Sequence, residues 1–195
     1  MAKILGNFHL ALLIGVVLLV AAMFGLHQEA MGAGAAYWSA VIRFLHIFAG
    51  ILWIGLLYYF NFVQIPTMPT VPAELKPAVS KYIAPAALFW FRWAALATVL
   101  IGIVLAESIK TGYVMDALTF KPGFRTIGVG AWLGIIMAAN VWFIIWPNQK
   151  RALGIVPAAD DVKAKSATTA MMGSRTNLIL SIPMLYCMVG QAHIG

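Results

Sequence analysis

Apolar residues are gathered in five long runs along the chain, near residues 8–26, 38–60, 86–106, 126–146 and 175–193. Each run approaches the roughly 20 residues that a helix needs to cross a hydrocarbon core of about 30 Å. No stretch sustains the alternation of apolar and polar positions that is typical of a half-buried strand. The pattern predicts an all-α integral membrane protein, a bundle of about five transmembrane helices that forms a single domain over residues 1–195.

Prolines and charges mark the segments between these runs. The five prolines between residues 65 and 85 favour an extended connection over a helix. Trp146-Pro147 predicts the end of the fourth helix, and Pro183 predicts a kink in the fifth. Within residues 158–173, two acidic residues precede two lysines, an order that suits the dipole of a short helix.

Composition supports the membrane assignment. Hydrophobic residues make up 63% of the chain and charged residues only 10%, whereas a soluble domain carries about 25% charged residues. The net charge of +7 would suggest nucleic-acid binding in a soluble protein. Here the basic residues lie mostly between spans, where retention on the cytoplasmic side and contact with anionic lipid account for them. Lipids are therefore expected partners, and nucleic acid is not.

The distribution of basic residues also predicts the orientation. Eight of the 13 lysines and arginines lie on the side of the N-terminus and three on the opposite side, with Arg43 and Arg92 inside spans. Cytoplasmic loops are enriched in such residues. The sequence thus predicts a cytoplasmic N-terminus and an outer C-terminus. The single cysteine, Cys187, allows no internal disulfide, and the absence of a C-x-x-C-H motif excludes covalent attachment of a c-type haem.

The second run contains two ionisable residues, Arg43 and His46, which share a helix face because they are three positions apart. With the predicted orientation, His46 lies about 12 Å from the outer end of its span. An ionisable group at such a depth marks a functional site by default. One interpretation makes His46 an axial ligand to the iron of haem b, with Arg43 pairing with a propionate. The alternative is a neutral His46 that bonds to another helix, with Arg43 extended towards the surface.

A haem would need a second axial ligand in the same half of the membrane. Met184 and Met188 on the fifth span have a suitable depth, and His193 and His27 lie nearer the outer boundary. A separate polar membrane cluster is predicted towards the cytoplasmic end, comprising Arg92, Asn140, Arg175 and Asn177, with Asn61 and Asn148 nearby. Such residues either fix helix packing or line a polar substrate site; packing is the favoured interpretation.

Three segments carry a resemblance to a known family. Residues 42–64, IRFLHIFAGILWIGLLYYFNFVQ, resemble the R-x-L-H-x-x-A-G-x-x-W-I-G segment in the membrane domain of bacterial membrane-bound urate hydroxylases, also called the urate oxidase N-terminal domain. Residues 138–151, AANVWFIIWPNQKR, and 174–189, SRTNLILSIPMLYCMV, resemble further segments of that domain in the same order. The resemblance implies the membrane fold, a bacterial inner membrane and a redox setting. The chain is similar to a short form without the cytochrome c domain of full-length members.

Three functions are compatible with these features. The first is an integral membrane subunit of a larger oxidoreductase or respiratory-type complex, binding haem b through His46 and transferring electrons with other membrane subunits. The second, implied by the resemblance, is a urate-hydroxylase-like enzyme that passes electrons to a separate cytochrome. The third is a cofactor-free structural or assembly subunit. Transport is disfavoured, since the sequence shows no inverted repeat and no paired broken helices. No catalytic residue is assigned at this stage.

Overall fold

The computed structural model describes residues 2–32 and 34–194, most of which are helical and none of which is in a strand. The chain forms two compact units, residues 1–41 and 42–195. The prediction of an all-α protein with helices able to span a membrane is confirmed. Several helices are long and apolar enough to cross a membrane, as a multi-pass membrane protein requires.

The first unit contains α1, Ala2–Leu5, and α2, Phe8–Met31. The side chain of Asn7 caps α2, because its oxygen accepts hydrogen bonds from two backbone N–H groups of the first turn at 3.0 and 3.3 Å. Near the other end, His27 has non-helical dihedral angles, with φ −128° and ψ 21°, which mark a kink. The predicted first span, 8–26, therefore lies within a somewhat longer helix.

The following helices are, in chain order, α3 (Ala35–Tyr58), α4 (Ile65–Thr67), α5 (Lys76–Ala78), α6 (Ala84–Ile109), α7 (Tyr113–Leu118), α8 (Arg125–Asn140), α9 (Trp146–Ala152) and α10 (Asp160–His193). Segments of π-helix, in which each turn is wider than in an α-helix, join some of them: π1 (Tyr59–Gln64), π2 (Val79–Ile83) and π3 (Val141–Ile145). Continuous helices thus run over Ala35–Thr67, Lys76–Ile109 and Arg125–Ala152.

Among the described residues, four helices are long and apolar enough to cross a membrane: Phe8–Met31 and the three continuous helices just named. They contain the first four predicted spans. The predicted fifth span, 175–193, lies in α10, which has 34 residues but a more polar composition, and the count of five spans stays a prediction. Polar side chains of α10 such as Asn177 and Ser181 are fully buried in the second unit. This burial accounts for a helix that is long yet less apolar than its neighbours.

Each π-helical segment ends two residues before a proline: Pro66, Pro85 and Pro147. A proline in an α-helix lacks the N–H donor, and its ring clashes with the carbonyl group four residues earlier. At all three sites the residue just before the proline donates its N–H to the carbonyl five residues back. The wider turn gives the ring room, and the helix continues through the proline.

These wide turns overturn two sequence predictions. The fourth helix does not end at Trp146-Pro147, because it continues as α9 to Ala152. Residues 65–85 are not an extended connection, since only 68–75 lie outside helices. The helix predicted within 158–173 is present as the first part of α10, and its two acidic residues occupy the first turn, as the dipole argument requires.

The core of the second unit lies between the long helices. It is formed by large side chains from α3, α6, α8, π3 and α10, including Trp53, Leu57, Phe91, Met137 and Val141, each at most 1% exposed. Many large apolar side chains elsewhere on the helices are exposed, which suits a surface that faces lipid.

Candidate functional site

The imidazole of His46 on α3 bridges to α6. Its Nδ1 lies 2.9 Å from the backbone carbonyl oxygen of Thr98. A carbonyl oxygen only accepts, so Nδ1 must carry the proton and donate it. The other ring nitrogen, Nε2, then keeps its lone pair and is free to accept a hydrogen bond or to ligate a metal. A backbone carbonyl that fixes the tautomer in this way is a common support for metal-ligating histidines.

Glycine at position 102 makes this contact possible. A Cβ atom built at Gly102 would lie 2.9 Å from Cε1 and 3.1 Å from Nδ1 of His46, closer than side chains pack. The hydroxyl of Thr98 donates to the carbonyl of Ala94 one turn back, and the backbone carbonyl of Thr98 accepts from the imidazole. His46, Thr98 and Gly102 form what we call the histidine site, in which the ring is half-buried against α6.

Arg43, one helical turn from His46, has an exposed side chain. Its positive charge acts on the phenol of Tyr113, the first residue of α7. Burial raises the pKa of Tyr113, and the charge of Arg43 opposes part of that rise. The ring of Tyr113 packs edge-on against Phe124, with centroids 4.8 Å apart. The sequence did not single out Tyr113, because only the fold brings α7 near Arg43.

An ordered cap of charged residues surrounds α7. Asp116, whose side chain is only 10% exposed, accepts with its carboxylate from the ammonium groups of Lys110, at 2.7 Å, and Lys121. These two hydrogen bonds hold the pKa of Asp116 below its usual range. The carboxylate of Glu107 accepts from two backbone N–H groups at the start of α7, at 2.8 and 3.0 Å. Ion pairs and capping hydrogen bonds therefore tie the segment between α6 and α8 together.

The residues predicted as second axial ligands lie in different surroundings. Met184 is buried in the hydrophobic core, and Met188 packs beside Gly130 of α8. His193 is exposed in the last turn of α10. His27 belongs to the first unit. Within residues 2–32 and 34–194, no group of three or more His, Cys, Asp or Glu residues is arranged to hold a metal ion. The structure thus supplies one ligand-competent nitrogen at His46, and the haem ligand set stays a prediction.

A second polar assembly ties α10 to its neighbours. The amide of Asn140 donates to the carbonyl of Gly173 at 2.8 Å and to the amide oxygen of Asn177 at 2.7 Å. Asn177 in turn donates to the carbonyl of Met137 at 3.0 Å. Asn61 on π1 donates to the carbonyl of Leu57 and to the hydroxyl of Ser174, both at 2.8 Å. We call Asn61, Asn140, Ser174 and Asn177 the asparagine cluster.

The amide orientations in this cluster are dictated by its partners. Each of the three asparagines points its NH₂ group at a backbone carbonyl, which cannot donate. Both donors of Asn61 and both donors of Asn140 are used. Their amide oxygens are buried and have no hydrogen-bond partner among the described residues. Asn61 lies within π1 and Asn140 immediately precedes π3, so the cluster occupies the places where two helices change their hydrogen-bonding pattern.

Only part of the predicted polar membrane cluster comes together. Asn140 and Asn177 meet directly, whereas the side chain of Arg175 is exposed. Arg92 has other partners: its guanidinium carbon lies 3.8 Å from the centroid of the Trp146 ring. The indole N–H of Trp142 donates to the Arg92 carbonyl at 3.1 Å. Sequence reasoning missed Ser174, since nothing in its local pattern indicates a partner 113 residues away.

A hydroxyl pair extends the contact between α3 and α10. The hydroxyls of Tyr58 and Ser181 lie 3.2 Å apart, and Ser181 also donates to the carbonyl of Leu178. Ser181 is fully buried. The polar seam between the two helices therefore extends from Asn61 and Ser174 to Tyr58 and Ser181.

Comparison with family models places part of the chain in a known family. Residues 107–194 match the family model described as urate oxidase N-terminal. The match includes two of the three segments that carried the resemblance, 138–151 and 174–189, and the predicted family is confirmed over this range. No curated protein and no solved structure matches the chain.

Proposed function

Residues 107–194 belong to the urate oxidase N-terminal family, and on that premise we propose that this chain is an integral membrane subunit of an oxidoreductase in which His46 holds haem b. The observation that carries the proposal is the hydrogen bond from His46 Nδ1 to the carbonyl of Thr98 at 2.9 Å. It leaves Nε2 as a neutral nitrogen ligand on a half-buried ring. The proposed setting is a bacterial inner membrane, with other membrane subunits as partners.

The residues around His46 fit one side of a haem b. Gly102 leaves room for the ring, and Thr98 fixes its tautomer. Arg43 is exposed one turn away, where a guanidinium can pair with a carboxylate. Haem, when bound, would supply one-electron redox chemistry. The chain's own residues would hold the imidazole in the neutral, metal-binding form and orient it through α6.

The experiment is a reduced-minus-oxidised visible spectrum of the purified chain, with bound metals quantified on the same sample. The proposal expects a b-type band with about one haem per chain, lost in His46→Ala. His9→Gln is the matched control, because His9 is exposed on α2 and lies outside the histidine site. The variants Met184→Leu, Met188→Leu, His193→Gln and His27→Gln then identify the second ligand.

A spectrum without a band, on protein without metal, would overturn the haem proposal. The same result would favour a cofactor-free structural or assembly subunit. In that case the next measurement is the identity of the membrane proteins that co-purify with the chain. A b-type band that persists in His46→Ala would show that another residue is the axial ligand to the haem iron.

The family match favours a second function, urate hydroxylation with a separate cytochrome as electron acceptor. Urate-dependent oxygen uptake, or urate-dependent reduction of an added cytochrome c by the purified chain, would support it. Inactivity of pure, folded protein in the presence of the acceptor would count against it. This assay and the spectrum are independent, since a chain can bind haem without oxidising urate.

A further inference from the structure

Two cations share one aromatic ring at the end of the long helix Arg125–Ala152. The guanidinium carbon of Arg92 lies 3.8 Å from the centroid of the Trp146 ring, and Lys150 Nζ lies 5.8 Å from the same centroid. Both distances are within the range of cation–π attraction. The ring of Phe89 adds a second contact to Arg92 at 5.5 Å. Two like charges are thus held within about 10 Å of each other, roughly one Debye length at 0.1 M salt.

No carboxylate neutralises this pair in the part of the chain that the structure describes, since neither Arg92 nor Lys150 forms an ion pair there. The nearby side chains instead offer aromatic faces. Most acidic residues are engaged elsewhere: Asp116 binds Lys110 and Lys121, Asp160 and Asp161 pair with lysines on their own helix, and Glu107 caps α7. Two cations on a half-buried indole without an acidic partner make a site for an external anion.

The position of Trp146 sets the depth of this site. From Arg125 to Trp146 the helix rises about 32 Å at 1.5 Å per residue, close to the roughly 30 Å of a hydrocarbon core. Trp146 therefore lies at a membrane boundary, where indole rings are enriched. Lys150 follows one turn beyond, and Arg92 on α6 reaches the same ring. The anion that is abundant at this depth is a lipid phosphate.

We propose that Arg92, Trp146 and Lys150 bind the phosphate of an anionic phospholipid headgroup in the leaflet where α9 emerges. The planar guanidinium can donate two hydrogen bonds to phosphate oxygens, and the ammonium supplies a second positive charge. The indole holds both cations at headgroup depth. This leaflet is cytoplasmic in the predicted orientation, and the site does not depend on haem at His46.

The test uses the full chain in detergent, titrated with phosphatidylglycerol or phosphatidylcholine, with retained lipid counted by native mass spectrometry. Wild type should retain phosphatidylglycerol in preference. Lys150→Gln and Arg92→Gln should each reduce that preference about fivefold, the effect expected for one basic residue at an anionic membrane surface. Arg151→Gln is the matched control, because it removes the same charge from the next residue, which is exposed and has no contact with the Trp146 ring.

Three results would overturn the proposal: equal retention of the two lipids, an Arg151→Gln effect as large as that of Lys150→Gln, or displacement of phosphatidylglycerol by inorganic phosphate at equal concentration. The last result would assign the site to a soluble phosphate. If Arg92→Gln does not fold, lipid retention by Lys150→Gln decides whether the proposal stands, since Lys150 lies near the end of α9 and is not part of the core.

Discussion

The histidine site and the asparagine cluster are both polar assemblies between apolar helices, yet they differ in how many hydrogen bonds tie them to their neighbours and in how deeply they are buried. At the histidine site one contact to α6 fixes a ring and leaves a lone pair on Nε2 free. In the asparagine cluster, the side-chain amides of Asn61 and Asn140 each donate two hydrogen bonds to neighbouring groups. The first arrangement leaves its free acceptor on a half-buried ring and suits a ligand. The second joins α10 to two other helices through its donors and suits helix packing, while the amide oxygens of Asn61 and Asn140 stay buried without a partner among the described residues.

The surroundings of the two assemblies follow the same division. His46 is half-buried, beside exposed Arg43 and close to the charged cap around α7. Asn61 and Asn177 are at most 1% exposed, next to π1 and the end of α8. The NH₂ groups of these two asparagines are bonded to groups on neighbouring turns and helices, and losing such buried bonds destabilises a fold. His46 is therefore placed for binding, whereas the asparagines are placed for structure. Variants of each assembly test this difference.

The largest effect on stability is expected for Asn177→Leu. This change removes the acceptor of Asn140 and the donor to the Met137 carbonyl, and it leaves both remaining groups buried without those bonds. We expect a loss of about 1–3 kcal/mol in the free energy of unfolding. Thermal melting in detergent checks it, with Thr176→Val as the control, since that exposed hydroxyl bonds only within its own helix. Equal melting of both variants would contradict a packing role.

The next effect is expected for Gly102→Ala. The added methyl group would lie 2.9 Å from His46 Cε1, so the ring must move and its bond to Thr98 is lost. We expect a cost of about 1–3 kcal/mol and a shift or loss of any spectrum that depends on His46. Gly134→Ala is the control, because a Cβ there has open space. An unchanged spectrum and melting temperature in Gly102→Ala would show that the ring is not held against α6.

A smaller effect is expected at the charged cap, through pH. Because its pKa is lowered in the folded protein, Asp116 contributes stability above its unfolded pKa, and that stability is lost as pH falls through the folded value. The melting temperature of the wild type should fall below about pH 4. Asp116→Asn should already melt at a lower temperature at neutral pH, because it lacks the stability that the ionised carboxylate contributes. Asp161→Asn, at an exposed carboxylate 4.0 Å from Lys165, provides the comparison. Parallel pH profiles for wild type and Asp116→Asn would contradict the role of the cap.

The smallest effect is expected at Tyr113. Burial raises its pKa, and Arg43 counteracts part of the rise, so Arg43→Gln should raise the pKa further. Because the folded pKa lies above the unfolded value of about 10, the stability contributed by the neutral phenol is present below pH 10 and lost as pH rises through the folded value. Ultraviolet titration of the tyrosines, with Tyr113→Phe identifying the relevant step, measures the shift. A titration unaffected by Arg43→Gln would place the guanidinium away from the phenol.

The sequence predicted the helical class and the membrane spans because apolar run length decides both, as the helices over 8–31, 35–67, 76–109 and 125–152 illustrate. It did not predict the passage of helices through Pro66, Pro85 and Pro147. The proline rule assumes α-helical spacing, and the wide π turns remove the clash on which that rule depends.

For the candidate sites, spacing placed Arg43 and His46 on one face, but it gave neither the contact to Thr98 nor the space at Gly102. Ser174 and Tyr113 were missed for the same reason, since their partners come from distant parts of the chain. Arg175 was grouped with Asn177 by depth, yet two positions along a helix turn a side chain to a different face, and Arg175 is exposed.

The most direct test of this division is one experiment on two variants, in which the visible spectrum and the melting curve of His46→Ala and Asn177→Leu are recorded together. We expect His46→Ala to lose the b-type band while melting closer to wild type, and Asn177→Leu to keep the band while melting at a lower temperature. If His46→Ala keeps the wild-type spectrum and destabilises the protein as much as Asn177→Leu, His46 is a packing residue and not a haem ligand.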